Sequence, residues 1–220
     1  MELKEIMLSD MINRPNKGEI GFNHQTRIFQ LLMSRYLKGI ETKEDRYLSI
    51  YCVDKVKEIE IDDYTIENGR TVKIPYNPIE FLKLDTVEEK YEEYVRIFND
   101  YIDPVFREMD WDYSPVIHAL EKVKEHNYQA QFILKNTPKK SPDKRHTALV
   151  LGIHSVNSFQ LIARIYDDKD GLMIKEKVLA EEVPNEMVYA RFLGKAAWKD
   201  HQTFEVRSIS SQWAGTITVD

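Results

Sequence analysis

Cysteine is almost absent: Cys52 is the one thiol in 220 residues, so no intrachain disulfide can form and nothing calls for an oxidising compartment. It lies in the apolar run Tyr51-Cys52-Val53, where a thiol is expected to be buried and inert rather than nucleophilic. Glycine is scarce too, with eight residues, about half the usual share of ~7%. Neither a G-x-G-x-x-G nor a Walker pattern occurs, which excludes the loops that cradle phosphate on bare backbone. Long hydrophobic runs are missing: the strongly apolar stretch from Ala148 to Ile153 is far short of the ~20 residues a membrane helix needs. The start, Met1-Glu2-Leu3-Lys4-Glu5, lacks the basic and apolar segments of a secretory signal, so a cytoplasmic location is expected. No long internal repeat is visible, which argues against solenoids and propellers.

What is present suits a globular protein. Apolar residues make up 42% of the chain and aromatics 11%. A chain of this length buries about 70% of the surface its unfolded form exposes, and it suffices for one large domain or two small ones.

The pattern along the chain changes midway. Turn residues cluster at Asn13-Arg14-Pro15-Asn16-Lys17-Gly18. Asn23 can cap a helix running to about Lys38, because Ile28, Leu31, Leu32 and Leu37 recur at helical spacing and Gly39 stops it. Tyr47–Val53 and Glu58–Ile61 have strand content, and Asn68-Gly69 between Tyr64–Ile66 and Thr71–Ile74 predicts a hairpin. Asp85 with Glu88 reads as a capping box for a helix that ends before Asp103-Pro104. Ser114-Pro115 opens another helix, carried by Val116, Ile117, Leu120 and Val123.

From Gln129 onward alternation takes over. Gln129–Leu134, Thr147–His154, Phe159–Tyr166, Leu172–Val178, Thr203–Ser211 and Trp213–Val219 read as strands, and Asn185–Trp198 as a short helix. The predicted class is α+β: a mixed helical N-terminal half (1–134) with a hairpin, packed with or followed by an antiparallel β half (147–220). The polar stretch 135–146, with Pro138 and Pro142, is the expected loop or linker, and whether the halves share one core stays open.

Charge is distributed unevenly. Net charge is −6, yet Asp85–Asp112 alone carries −7 and the rest of the chain +1. The same 28 residues hold six aromatics, Tyr91, Tyr94, Phe98, Tyr101, Phe106 and Trp111. On a helix, rings at that spacing fill a core and the acids form a solvated face. At the proline-marked junctions the pattern differs, because Asp100-Tyr101-Ile102-Asp103-Pro104 and Asp110-Trp111-Asp112-Tyr113-Ser114-Pro115 alternate rings with acids. Rings can supply desolvated anchoring energy, while carboxylates accelerate and orient the encounter with a basic surface. The predicted partner-binding residues are therefore Asp100, Tyr101, Asp103, Glu108, Asp110, Trp111, Asp112 and Tyr113. In composition, Asp110 to Pro115 resembles the acidic, tyrosine-bearing surface of small immunity proteins that neutralise bacterial nuclease toxins. The likeness is one of surface chemistry, and it implies a non-catalytic protein that covers a basic toxin or enzyme.

Other constellations compete with that reading. Lys135 to His146 carries five bases against one acid, which suits phosphate contacts, but it lacks interleaved aromatics and the chain as a whole is acidic. Nucleic acid is thus not the expected partner. His118, Glu121 and Glu125 share a helical face without a second ligand set, and Asp168-Lys169-Asp170-Gly171 fails as a calcium loop where Tyr166 and Lys177 stand. No metal, cofactor or catalytic residue is expected, nor a membrane, and a homo-oligomer is compatible with the sequence. The rivals are an enzyme with its site between the halves using His118, His154 or His201 as base, a nucleic-acid-associated protein using 135–146, and a structural subunit.

Overall fold

The computed structural model describes the chain except Arg14, Lys17, Gly18 and Asp220, and the side chains of Tyr64 and Thr65. Part of the turn expected at 13–18 thus lies outside the described residues. The chain forms two compact units, Met1–Gln129 and Ala130–Asp220. The class is α+β, with a mixed sheet and helices in the first unit and antiparallel sheets in the second.

The N-terminal sheet begins with a crossover. Strand β1 (Glu5–Asp10) leads into helix α1 (Phe22–Tyr36) and back to β2 (Tyr47–Cys52), which runs parallel to β1. Strand β4 (Gly69–Ile74) is parallel to β2, and β3 (Glu60–Ile66) closes the edge antiparallel to β4, for an order β1-β2-β4-β3. Ile6 and Leu8, Leu48 and Ile50, and Val72 and Ile74 alternate with half-exposed residues, so each strand sends one side into the core. α1 packs on β1 through its buried Ile28, Phe29, Leu32 and Met33, and Gln30 Nε2 donates to Leu8 O at 2.9 Å. A buried ion pair anchors the sheet from below, Arg70 donating through Nε and Nη2 to the Asp45 carboxylate at 3.1 and 3.2 Å.

Several boundaries differ from the sequence reading, each for a local reason. The start of the chain supplies β1, whose six residues are too short for their alternation to stand out beside the polar stretch that follows. The hairpin turn is Glu67-Asn68, both at positive φ (51° and 62°), while Gly69 pairs with Ile66 inside the ladder. The capping box is Thr86 and Glu89, one residue later than expected: Thr86 Oγ accepts from Glu89 N at 3.2 Å and Glu89 Oε2 from Thr86 N at 3.0 Å.

The helical layer continues through α2 (Pro78–Leu82), α3 (Val87–Ile97), a π-helical turn (Phe98–Ile102), α4 (Asp103–Glu108) and α5 (Ser114–Glu125). Asp103-Pro104 does not end the helical path. Proline lacks only a donor that a first turn leaves free, so Pro104 fits the opening of α4. Phe29 of α1 anchors the layer, its ring lying 5.6, 5.2 and 6.3 Å from those of Tyr91, Tyr94 and Tyr128.

The second unit is a β structure around its own core. Strands β5 (Ala130–Ile133), β7 (His146–His154), β8 (Phe159–Asp167) and β9 (Met173–Glu182) form an antiparallel sheet in that order, with the short β6 (Lys139–Lys140) also on β7. The stretch 135–146 therefore lies wholly inside this unit and contributes a strand. Asn185–Trp198, expected as one helix, divides into α6 (Glu186–Tyr189), a 3-10 turn (Ala190–Phe192) and β10 (Lys195–Trp198). β10 pairs with β11 (Thr203–Arg207), and β11 with β12 (Ala214–Thr218). Val150, Phe159, Leu161, Ile165, Phe204, Val206 and Ile217 form the core. Gly152 sits under the Phe132 ring, where a Cβ would fall 2.3 Å from a ring carbon.

Candidate protein-binding face

The expected binding segment, 100–113, uses most of its side chains internally. Trp111 is 9% exposed and meets Phe106 edge-on at 5.4 Å, so it packs inward instead of projecting as an anchor. Tyr113 lies half-buried against the same ring at 5.2 Å, and burial pushes its hydroxyl pKa up. That hydroxyl has no hydrogen-bond partner among the described residues. Tyr101 is half-buried, edge-on to Tyr76 at 6.4 Å. Alternation in sequence here follows the π turn and the short helix α4, whose inner sides take rings.

The acids of the segment are also committed in part. Asp100 accepts from Arg96 Nη1 at 3.0 Å, and Asp103 pairs with Arg107 one turn on. Asp112 Oδ1 accepts from Ser114 N at 2.9 Å and from Ser114 Oγ at 2.7 Å, which lowers its pKa and fastens the start of α5. Glu108 and Asp110 remain exposed, Asp110 at a positive φ of 56°. Only a rim of negative charge stays available there.

Exposed acid meets apolar surface instead between α3 and α5. Tyr91, Glu92, Val95 and Asn99 fall on one stripe at steps of one, three and four, and Ile117, Leu120 and Glu121 face them from α5. Together they bound an open groove of about 440 Å³. Tyr91 forms its floor: the hydroxyl donates to Leu120 O, joining the two helices, and its ring lies 5.0 Å from Tyr128. Ile117 on the wall is 49% exposed. Burial, aided by Tyr128 and Glu121, pushes the Tyr91 pKa up to about 12, while burial with Glu88 and Glu92 raises that of Tyr128.

Some carboxylates of these two helices stay outside ion pairs. Glu88, Glu92 and Glu121 make no ion pair among the described residues. Nearby bases are engaged elsewhere: Arg96 forks onto Glu93, Lys122 holds Glu125 at 2.7 Å, and buried Lys90 donates to Leu84 O at 2.6 Å. Lys124 is exposed one turn beyond Glu121. Counting acids and rings along the chain did not separate these side chains from the rest; pairing the α3 and α5 stripes by helical spacing would have.

Other places fit chemistry less well. A cleft of about 380 Å³ opens at the carboxyl ends of β2 and β4, lined by Val53, Asp54, Pro75, Tyr76 and Asn77 among others. Its polar groups serve the fold: Tyr76 donates to Glu93 at 2.8 Å and the Asn77 side chain caps α2. Beside it, Asp10 accepts from Ile12 N and Asn13 N, and burial pushes the Cys52 thiol pKa up, away from the thiolate. In the stretch 135–146, three of the five bases are tied down. Lys139 donates to Ala196 O at 2.7 Å, Lys140 pairs with Asp168 at 2.9 Å and Arg145 with Asp143 at 3.8 Å.

Histidines do not converge on a site. His118 and His201 are exposed and lie in different units, whereas His154 is buried with Nδ1 at 3.2 Å from the Tyr189 hydroxyl. Among the described residues no three His, Cys, Asp or Glu side chains gather as a metal site, and no helix is long and apolar enough to cross a membrane.

Comparison of the chain with protein families, with curated proteins and with solved structures finds no match.

Proposed function

We propose that this protein works by binding, without catalysis of its own, a partner protein that presents a basic surface, in the manner of an inhibitor or immunity protein. The observation that carries the reading is the pair of carboxylates, Glu92 and Glu121, that line an open apolar groove and form no ion pair among the described residues, with exposed Glu88 one turn before Glu92. Exposed acids outside ion pairs raise the association rate of a cationic partner and orient it, while apolar surface between them supplies the contact that lasts. Compared with the expectation from sequence, the binding surface moves from 100–113 to the α3–α5 face. Asp100, Asp103, Glu108, Asp110 and Asp112 remain as a more distant negative rim.

The test is direct. The product of the reading frame adjacent to this gene is co-expressed and its association rate is measured across ionic strength. The expected rate falls steeply from about 50 to about 300 mM salt and drops roughly 10-fold in the double variant E92K/E121K. Association that ignores both salt and charge reversal overturns the proposal.

A further inference from the structure

We infer that the α3–α5 groove receives one large apolar side chain from a basic segment of the partner, with Lys or Arg residues on either side of it meeting Glu92 and Glu121. This rests on the partner-binding reading and adds the chemistry of the bound segment. Three features of the groove carry it.

The first is the arrangement of charge. Glu92 lines the groove from α3 and Glu121 from α5, so each wall sets a carboxylate one turn from its apolar residue, Val95 or Ile117. Neither forms an ion pair among the described residues. A phosphate or carboxylate ligand would be repelled there, whereas a lysine or arginine flanking the entering residue would gain two partners.

The second is the apolar wall. Ile117, 49% exposed on a helix whose other apolar residues Val116, Ala119, Leu120 and Val123 are buried, serves no internal packing that needs its outer half. Its solvent-facing surface continues over Val95 to Tyr91, the shape of contact that removes one apolar group from water.

The third is rigidity. The Tyr91 hydroxyl bonds to Leu120 O, and the Tyr91 ring is wedged against Phe29 and Tyr128, so both walls are fixed before anything binds. A pre-formed groove loses little ordering entropy on occupation.

Three fluorescent synthetic peptides of equal length, titrated into the full-length protein, test this. One carries a single leucine flanked by lysines, one replaces that leucine by glycine, and one keeps leucine but replaces the lysines by glutamine. The exposed position makes Ile117→Gln compatible with folding, checked by circular dichroism. The lysine–leucine peptide should bind at least about 10-fold more tightly than either relative, and Ile117→Gln should weaken it about 5-fold while leaving the glycine peptide unchanged. Equal binding of the leucine and glycine peptides overturns the anchored groove but leaves charge-driven capture standing. Failure of both lysine peptides to bind overturns the inference and the partner-binding reading together. Self-association of the protein that disappears in Ile117→Gln, read by light scattering, would make the groove a contact between copies and overturn the inference alone.

Discussion

Two parts of the helical layer both set acids beside apolar side chains and orient them differently. Between positions 100 and 113, rings turn inward onto Phe106 and the acids hold Arg96, Arg107 and the start of α5. Along α3 and α5, Tyr91 and Ile117 border open space while Glu88, Glu92 and Glu121 face water unpaired. The contrast shows that a count of acids and aromatics identifies a segment but not the direction of its side chains. A carboxylate bonded to a cation spends its charge inside the fold, whereas one outside any ion pair leaves more of its field to the solvent.

Three substitutions test this division. The largest effect is expected from Trp111→Ala, because it removes a ring packed on Phe106: a loss of about 3–5 kcal/mol in denaturant unfolding, with affinity for a basic partner retained in the folded fraction. Retained stability with lost binding would return the anchor to 111 and erase the contrast.

Next comes Glu93→Gln. Glu93 accepts from Arg96 and from the Tyr76 hydroxyl, and these bonds hold its pKa below the ordinary 4.5. A lowered folded-state pKa adds stability that is fully present above about 4.5 and disappears as pH falls through the folded value. The variant should lose about 1–2 kcal/mol at neutral pH and show a flatter decline in acid, its curve meeting that of the parent at the lowest pH. Parallel curves would show that Glu93 is not acting as a fold acid.

The smallest effect belongs to Asp100→Asn. Its exposed pair with Arg96 is worth at most about 0.5 kcal/mol, so thermal unfolding should scarcely move. A marked slowing of partner association in that variant would extend the binding surface back toward 100.

Much of the architecture was legible from periodicity. The nine-residue alternation of β7 and the helical spacing in α1 and α5 match the sequence reading because burial enforces period there. Errors fell where one signal serves two structures. Asp-Pro, read as a helix end, opens α4 at 103–104, and Ala196, four residues after Phe192, belongs to a strand because β11 offers a pairing edge no local pattern reveals. The directions of the side chains in the acidic segment were not legible. Trp111 and Ile117 are both apolar residues near acids, yet Trp111 packs on Phe106, a neighbour supplied by the folded chain, while Ile117 stays half exposed.

Gly152 has a consequence for the second unit. With the Phe132 ring occupying the room of a β-carbon, even the smallest side chain at 152 would have to evict that ring, and with it the seal between β5 and β7. The remaining β7–β8–β9 ladder involves neither Phe132 nor its strand. A single methyl group is thus a lever that would lift one margin of this sheet and, through the Phe159 ring stacked on Phe132 at 6.2 Å, be felt in β8.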